Sequence, residues 1–120
     1  MDASAGTLEC SHQDGIGMLT LRGEHDLSTA PTLQREIDGI YDRGSTLVVD
    51  LTHAEFVDSS ILNVLVRGCE RAARSQHRFA LVCPAGSLGS RILDLVIGDR
   101  VPRFETREAA LTTLAEPAPG

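Results

Sequence analysis

The sequence predicts an α/β domain, a small mixed β-sheet with flanking helices. Two observations carry this expectation. Leu47-Val48-Val49-Asp50-Leu51 and Phe79-Ala80-Leu81-Val82-Cys83 are short apolar runs of the kind found in strands covered by helices, and the stretch between them repeats apolar residues at helical spacing. That is a strand, a helix and a parallel strand. Upstream, Asp14-Gly15 separates two extended stretches, a hairpin signal that contributes an antiparallel strand.

Taken in order, Leu8 to His12 and Ile16 to Leu21 form the arms of that hairpin. Ser28-Thr29-Ala30-Pro31 then offers a capping hydroxyl and a proline where the first helical turn tolerates one, followed by Leu33, Ile37, Ile40 and Tyr41 at helical spacing. Gly44 closes this helix. Leu47 to Leu51 reads as a central strand, and a loop through His53 and Phe56 leads to a second helix. Asp58 or Ser59 can cap it, and its apolar stripe is Leu62, Leu65, Val66, Cys69 and Ala73. After the strand at Phe79 to Cys83, a third helix is expected with Leu88, Ile92, Leu95 and Val96 on one side. An extended piece near Val101 to Phe104 and a last helix from Arg107 to Leu114 follow. One domain spans about residues 7–115, with a flexible tail at 116–120.

Composition narrows the chemistry. The chain has 120 residues with 11 basic and 17 acidic side chains, a formal net charge of −6. Every basic residue is an arginine, so a lysine Schiff base, a lysine general base and a Walker-type phosphate lysine are all excluded. The acidic balance and 3% aromatic content argue against a nucleic-acid surface built on phosphate neutralisation and base stacking. Cys10, Cys69 and Cys83 form no C-x-x-C pair and read as reduced thiols, which favours the cytoplasm. No signal peptide and no apolar run of about 20 residues is visible, so no membrane partner is expected.

The residues with most chemical meaning are Asp58-Ser59-Ser60, at the turn between a strand and a helix start. Helix N-termini carry unpaired backbone N–H groups and a partial positive charge. Such residues are most simply N-caps. A helix needs one capping side chain, however, and this turn supplies three, so the excess points to a functional hydroxyl. A second polar cluster, Gly23-Glu24-His25-Asp26-Leu27, follows the strand at Ile16 to Leu21. If that strand runs parallel to Leu47–Leu51, both clusters emerge at one edge of the sheet, where α/β proteins place their sites.

Other signals are weaker. Gly86-Ser87-Leu88-Gly89-Ser90-Arg91 lacks the Walker spacing and reads as an ordinary loop. His12, His25, His53 and His77 are dispersed, so neither a metal site nor any cofactor is expected. A hydrolase would need Ser59 with His25 and Asp26 or Asp58, and the Gly-x-Ser-x-Gly elbow is absent.

The runs Gly23-Glu24-His25-Asp26-Leu27-Ser28, Val48-Val49-Asp50-Leu51, Phe56-Val57-Asp58-Ser59-Ser60 with Leu62, and Phe79 to Pro84 resemble, in order, those of STAS domains of the bacterial anti-sigma factor antagonist family. The resemblance implies a STAS-like fold and no enzymatic activity. It implies phosphorylation of Ser59, with Ser60 the lesser candidate. It implies as partners an anti-sigma factor that is also a serine kinase, and a serine phosphatase that resets the switch. Capturing the kinase frees a sigma factor, and phosphorylation breaks the capture. On this reading Asp58 shapes the turn, Glu24 and Asp26 line the neighbouring loop, and Phe56, Ser60, Ile61 and Leu62 contact the partner. The family usually has Gly-Leu-Gly after the serines, whereas this chain has Ile61-Leu62-Asn63. That departure keeps open a constitutive interaction module without phosphorylation.

Overall fold

The computed structural model describes residues 6–75, 77–86, 91, 94, 95 and 101–115. The hairpin forms as the sequence dictates: β1 (Thr7–Gln13) and β2 (Ile16–His25) pair antiparallel, with Gln13 opposite Ile16. Asp14 (φ 52°) and Gly15 (φ 78°) make the turn in the left-handed region, which a two-residue hairpin loop requires and which Gly adopts without steric cost. Helix α1 (Ala30–Asp42) begins with Pro31 in its first turn, and Gly44 at φ 72° follows its end.

β3 (Thr46–Val57) runs parallel to β2, helix α2 (Ser59–Ser75) crosses back, and β4 (Phe79–Val82) pairs parallel to β3. The short β5 (Arg103–Phe104) pairs parallel to β4, and α3 (Arg107–Ala115) follows. The sheet order is therefore β1-β2-β3-β4-β5, mixed through its first strand alone. The expected helix at Leu88–Val96 falls mostly outside the described residues, and the expected tail at 116–120 falls wholly outside them.

Alternation along the strands divides the core into two layers. Leu19, Leu21, Leu47, Val49 and Leu81 point toward α1 and α2, meeting Leu33, Ile37, Ile61 and Leu65. Met18, Val48 and Val82 point the other way and meet Ala110, with Leu111 and Leu114 against them, so α3 covers part of the opposite face. Asp50 and Thr20 also face α3, and there they are buried. The Asp50 carboxylate receives Thr52 N–H (2.9 Å) and hydroxyl (2.6 Å) on one oxygen and Arg107 on the other, at 2.8 and 3.2 Å. Arg107 also donates to the Thr20 hydroxyl at 3.1 Å, so a single guanidinium ties α3 to β2 and β3.

Two expectations need correction. β2 and β3 do not stop at Leu21 and Leu51 but continue as a paired ribbon to His25 and Val57. β4 follows β3 only from Leu47 to Asp50, so beyond that point the ribbon has no β4 beside it, and its largely polar residues imitate a loop. It carries irregularities between Thr20 and Arg22 and between Gly23 and Glu24, where β3 gains residues relative to β2. The buried face of α2 also differs from the expected stripe. Ile61, Leu62, Val64, Leu65, Gly68 and Ala72 are buried, whereas Val66 and Cys69 are half-buried and Ala73 is exposed. Gly68 explains the rotation: a Cβ there would stand 2.9 Å from the Phe79 ring, and its carbonyl accepts the Tyr41 hydroxyl at 2.8 Å. Helix, strand and α1 close on one another through a position with no side chain.

Candidate functional site

β2 and β3 run parallel, so the two polar clusters meet at one end of the sheet, as the conditional expectation required. Glu24 is the register partner of Phe56 and His25 of Val57, and Asp58 N–H donates to the His25 carbonyl at 3.2 Å. The end of β2 is thereby bonded to the turn that starts α2.

Within that turn each residue has a distinct part. The Asp58 carbonyl accepts the first helical bond, from Leu62 N–H at 3.1 Å, and one carboxylate oxygen accepts Ser60 N–H (2.9 Å) and Ile61 N–H (3.2 Å). Asp58 is thus the N-cap and satisfies two of the orphan donors of the helix start. Ser59 occupies the first helical position with its side chain exposed. Among the described residues its hydroxyl has no hydrogen-bond partner, so capping leaves it free for chemistry. Ser60 is half-buried.

The other expected residues separate into exposed and buried groups. Glu24, Asp26 and Phe56 are exposed, Phe56 by 52%. Asp26 closes its own turn, accepting Ser28 N–H (2.9 Å) and the Ser28 hydroxyl (2.6 Å), and these bonds hold its carboxyl below the usual aspartate range. Ile61 and Leu62, expected to touch a partner, are 0% and 5% exposed and belong to the core between α2 and the sheet. That expectation is corrected: the cap geometry turns Ser59 outward, and helical periodicity then sends the residues after Ser60 inward. Ile61 in place of a glycine accordingly changes packing rather than the outer surface, while Asn63 is exposed.

Sequence reading missed Leu27, 71% exposed in the turn leaving β2, whose signal was an apolar residue in an otherwise polar segment. It also treated His25 as a loop residue, and the structure buries it to 2%. A cleft of about 590 Å³ is lined by Thr7, Arg22, Gly23, Thr52, His53, Ala54 and Glu55 and excludes the Asp58–Ser60 turn. The exposed Ser59 follows exposed Phe56, whose register partner is the exposed Glu24. No helix among the described residues is long and apolar enough to cross a membrane.

Comparison with known proteins gives a consistent answer. The sequence pattern described as the STAS domain matches residues 7–110. The anti-sigma-F factor antagonist RsfB of Mycobacterium tuberculosis is 33% identical over 108 residues, covering 88% of this chain and 87% of its own. The crystal structure of an anti-sigma factor antagonist from Mycobacterium paratuberculosis superposes with a TM-score of 0.83 at 25% identity, covering 96% of this chain and 98% of its own. The Bacillus protein SpoIIAA, an anti-sigma factor antagonist, is similar in its unphosphorylated form (TM-score 0.74, 17% identity, 94% and 100% covered). Its phosphorylated form is similar too (0.69, 16%, 90% and 99%). At that identity the SpoIIAA likeness is one of fold.

Proposed function

The chain belongs to the STAS domain family, and from that premise we propose that it is an anti-sigma factor antagonist switched by phosphorylation of Ser59. The observation that carries this reading is the division of labour at the head of α2. Asp58 alone caps the helix, and Ser59 is left exposed with an uncommitted hydroxyl. The protein acts by binding and not by catalysis, in the cytoplasm, where sigma factors work. Its partners are an anti-sigma factor with serine kinase activity and a serine phosphatase.

In the unmodified state the turn, with its uncharged Ser59 hydroxyl and the exposed Phe56 ahead of it, packs against the anti-sigma factor and withholds it from its sigma factor. In the modifying step the Ser59 Oγ attacks the γ-phosphorus of ATP held by the kinase, forming the O–P bond as ADP leaves. The hydroxyl proton passes to a base of the kinase. The product carries roughly −1.5 to −2 charge beside Asp58. A partner surface matched to a neutral hydroxyl then loses both fit and electrostatic complementarity. The fold tolerates the change because the charge sits at a helix N-terminus, where the macrodipole favours anions. Hydrolysis by the phosphatase restores the hydroxyl.

The test uses the anti-sigma-F factor of M. tuberculosis, implied by the name of the 33% identical relative, with ATP and phosphosite mapping by mass spectrometry. Phosphate on Ser59 is expected. Phosphate confined to residues other than Ser59 and Ser60 would overturn the switch. Binding without any transfer favours the second reading, a constitutive interaction module, for which the specific feature is exposed Asn63 beside the turn where the family usually has glycine.

A further inference from the structure

Among the described residues three polar side chains are buried: Thr20, His25 and Asp50. Thr20 and Asp50 are accounted for by Arg107. His25 belongs to a separate network beneath the Ser59 turn. Its Nε2 lies 3.1 Å from the Thr7 carbonyl and 3.0 Å from the Arg22 carbonyl. Both oxygens can only accept, so Nε2 carries the ring proton and donates to them. The other nitrogen, Nδ1, faces the Thr29 hydroxyl at 3.2 Å, and Thr29 is the residue that opens α1. Thr29 makes no side-chain cap for its own helix; its hydroxyl is shared between His25 and the Asp26 carbonyl at 3.1 Å. The His25 carbonyl accepts Asp58 N–H. Gly6 seals the ring from the remaining side, since a Cβ there would stand 2.9 Å from the imidazole and 2.2 Å from the Glu24 carbonyl.

One imidazole thus joins the start of β1, the end of β2 and the entry to α1, and its own backbone holds the residue that caps α2. We infer that His25 is the positioning residue of the Ser59 turn, fixing the orientation of Asp58 and transmitting to it the placement of the strand that begins at Thr7. Its functional meaning rests on the reading of Ser59 given above, but its structural content does not. A single N–H lies within hydrogen-bond reach of two strand carbonyls, those of the paired residues Thr7 and Arg22, and the ribbon end to which Asp58 is bonded is held by that same ring. Removing the donor frees the ribbon end first, because beyond Asp50 the ribbon lacks the support of β4.

The experiment is amide hydrogen exchange by NMR on the full chain, comparing His25→Leu, which removes both ring nitrogens, with His25→Gln, whose side-chain amide can donate from near the position of Nε2. In His25→Leu the amides of Asp58, Ser60 and Ile61 should exchange about tenfold faster relative to the central amides of Leu19 and Val49. In His25→Gln they should return to within about threefold of the parent. A uniform acceleration across core and turn, or equal behaviour of the two variants, overturns the inference. Should His25→Leu not fold, Thr29→Val decides, because it keeps the ring and its Nε2 bonds and removes the Nδ1 partner together with the hydroxyl's bond to the Asp26 carbonyl. A selective rise of about threefold at the same three amides supports the inference, and no selective rise overturns it. The measurement needs no partner, so a failure of the phosphorylation reading leaves its outcome unaffected.

Discussion

Asp50, in the middle of β3, and Asp58, just past its end, make the same local bond and serve opposite ends. Each offers one carboxylate oxygen to the backbone N–H two residues on, Thr52 in one case and Ser60 in the other, both at 2.9 Å. The surroundings differ. Asp50 is 3% exposed and its second oxygen is clamped by Arg107, so the motif becomes a lock between the sheet and α3. Asp58 has no arginine upon it among the described residues, and the residue beside it is an exposed serine. Local sequence sets the geometry of an aspartate turn, and burial with a counter-charge decides whether it is a fixed joint or a place where charge can be added.

The largest expected effect breaks the lock. Asp50→Ala leaves Arg107 and both the N–H and the hydroxyl of Thr52 without their acceptor and should lower unfolding free energy by about 2 to 4 kcal/mol, less than a fully buried pair because Arg107 is partly exposed. Urea denaturation measures it. Asp58→Ala removes a cap instead and should cost about 1 kcal/mol by the same method. Near-equal losses would contradict the contrast between the two sites.

Acid sharpens the contrast. Burial pushes the Asp50 carboxyl upward, but the hydrogen bonds from Thr52 and the Arg107 guanidinium outweigh it and hold the group below its ordinary value. A group depressed in the folded state contributes stability in full above its unfolded pKa, near about 3.9, and loses it as pH falls through the folded value. The parent should therefore lose stability on the acid side, and Asp50→Asn should flatten that limb. A parallel loss in both proteins would show that other carboxyls control acid unfolding. The smallest structural effect is expected at Ser59, where Ser59→Ala and Ser59→Asp should each change unfolding free energy by no more than about 0.5 kcal/mol, since the side chain is exposed and does not cap.

The same contrast explains what the sequence makes legible. Periodicity exposes the strand–helix–strand unit because Leu47–Leu51, Phe79–Cys83 and α2 bury continuous or regularly spaced apolar residues. Asp14-Gly15 and Gly44 mark turns because their backbone angles demand such residues. The Asp58–Ser60 turn stands out as a surplus of caps. The ribbon beyond Leu21 and Leu51 is illegible because its strand character comes from backbone pairing with a neighbour, which leaves no alternation in hydrophobicity. His25 looks like a surface residue because its partners, Thr7 and Thr29, come from other elements, and the clamp on Asp50 inside its apolar run is invisible because Arg107 comes from α3. Ile61 and Leu62 look available because the outward turn at Ser59 is set by the cap, and Gly68, a key member of the buried stripe, carries no apolar side chain to count.

The central claim is that added charge at Ser59 dissolves a protein interface while leaving the fold intact. Titration calorimetry of the Ser59→Ala and Ser59→Asp proteins against the same anti-sigma-F factor tests it most directly. Ser59→Ala should bind as the unmodified protein does, and Ser59→Asp, folded to the same stability, should bind at least about tenfold more weakly, a difference of about 1.4 kcal/mol. Equal affinity of the two proteins would contradict the switch and leave a constitutive docking module in its place.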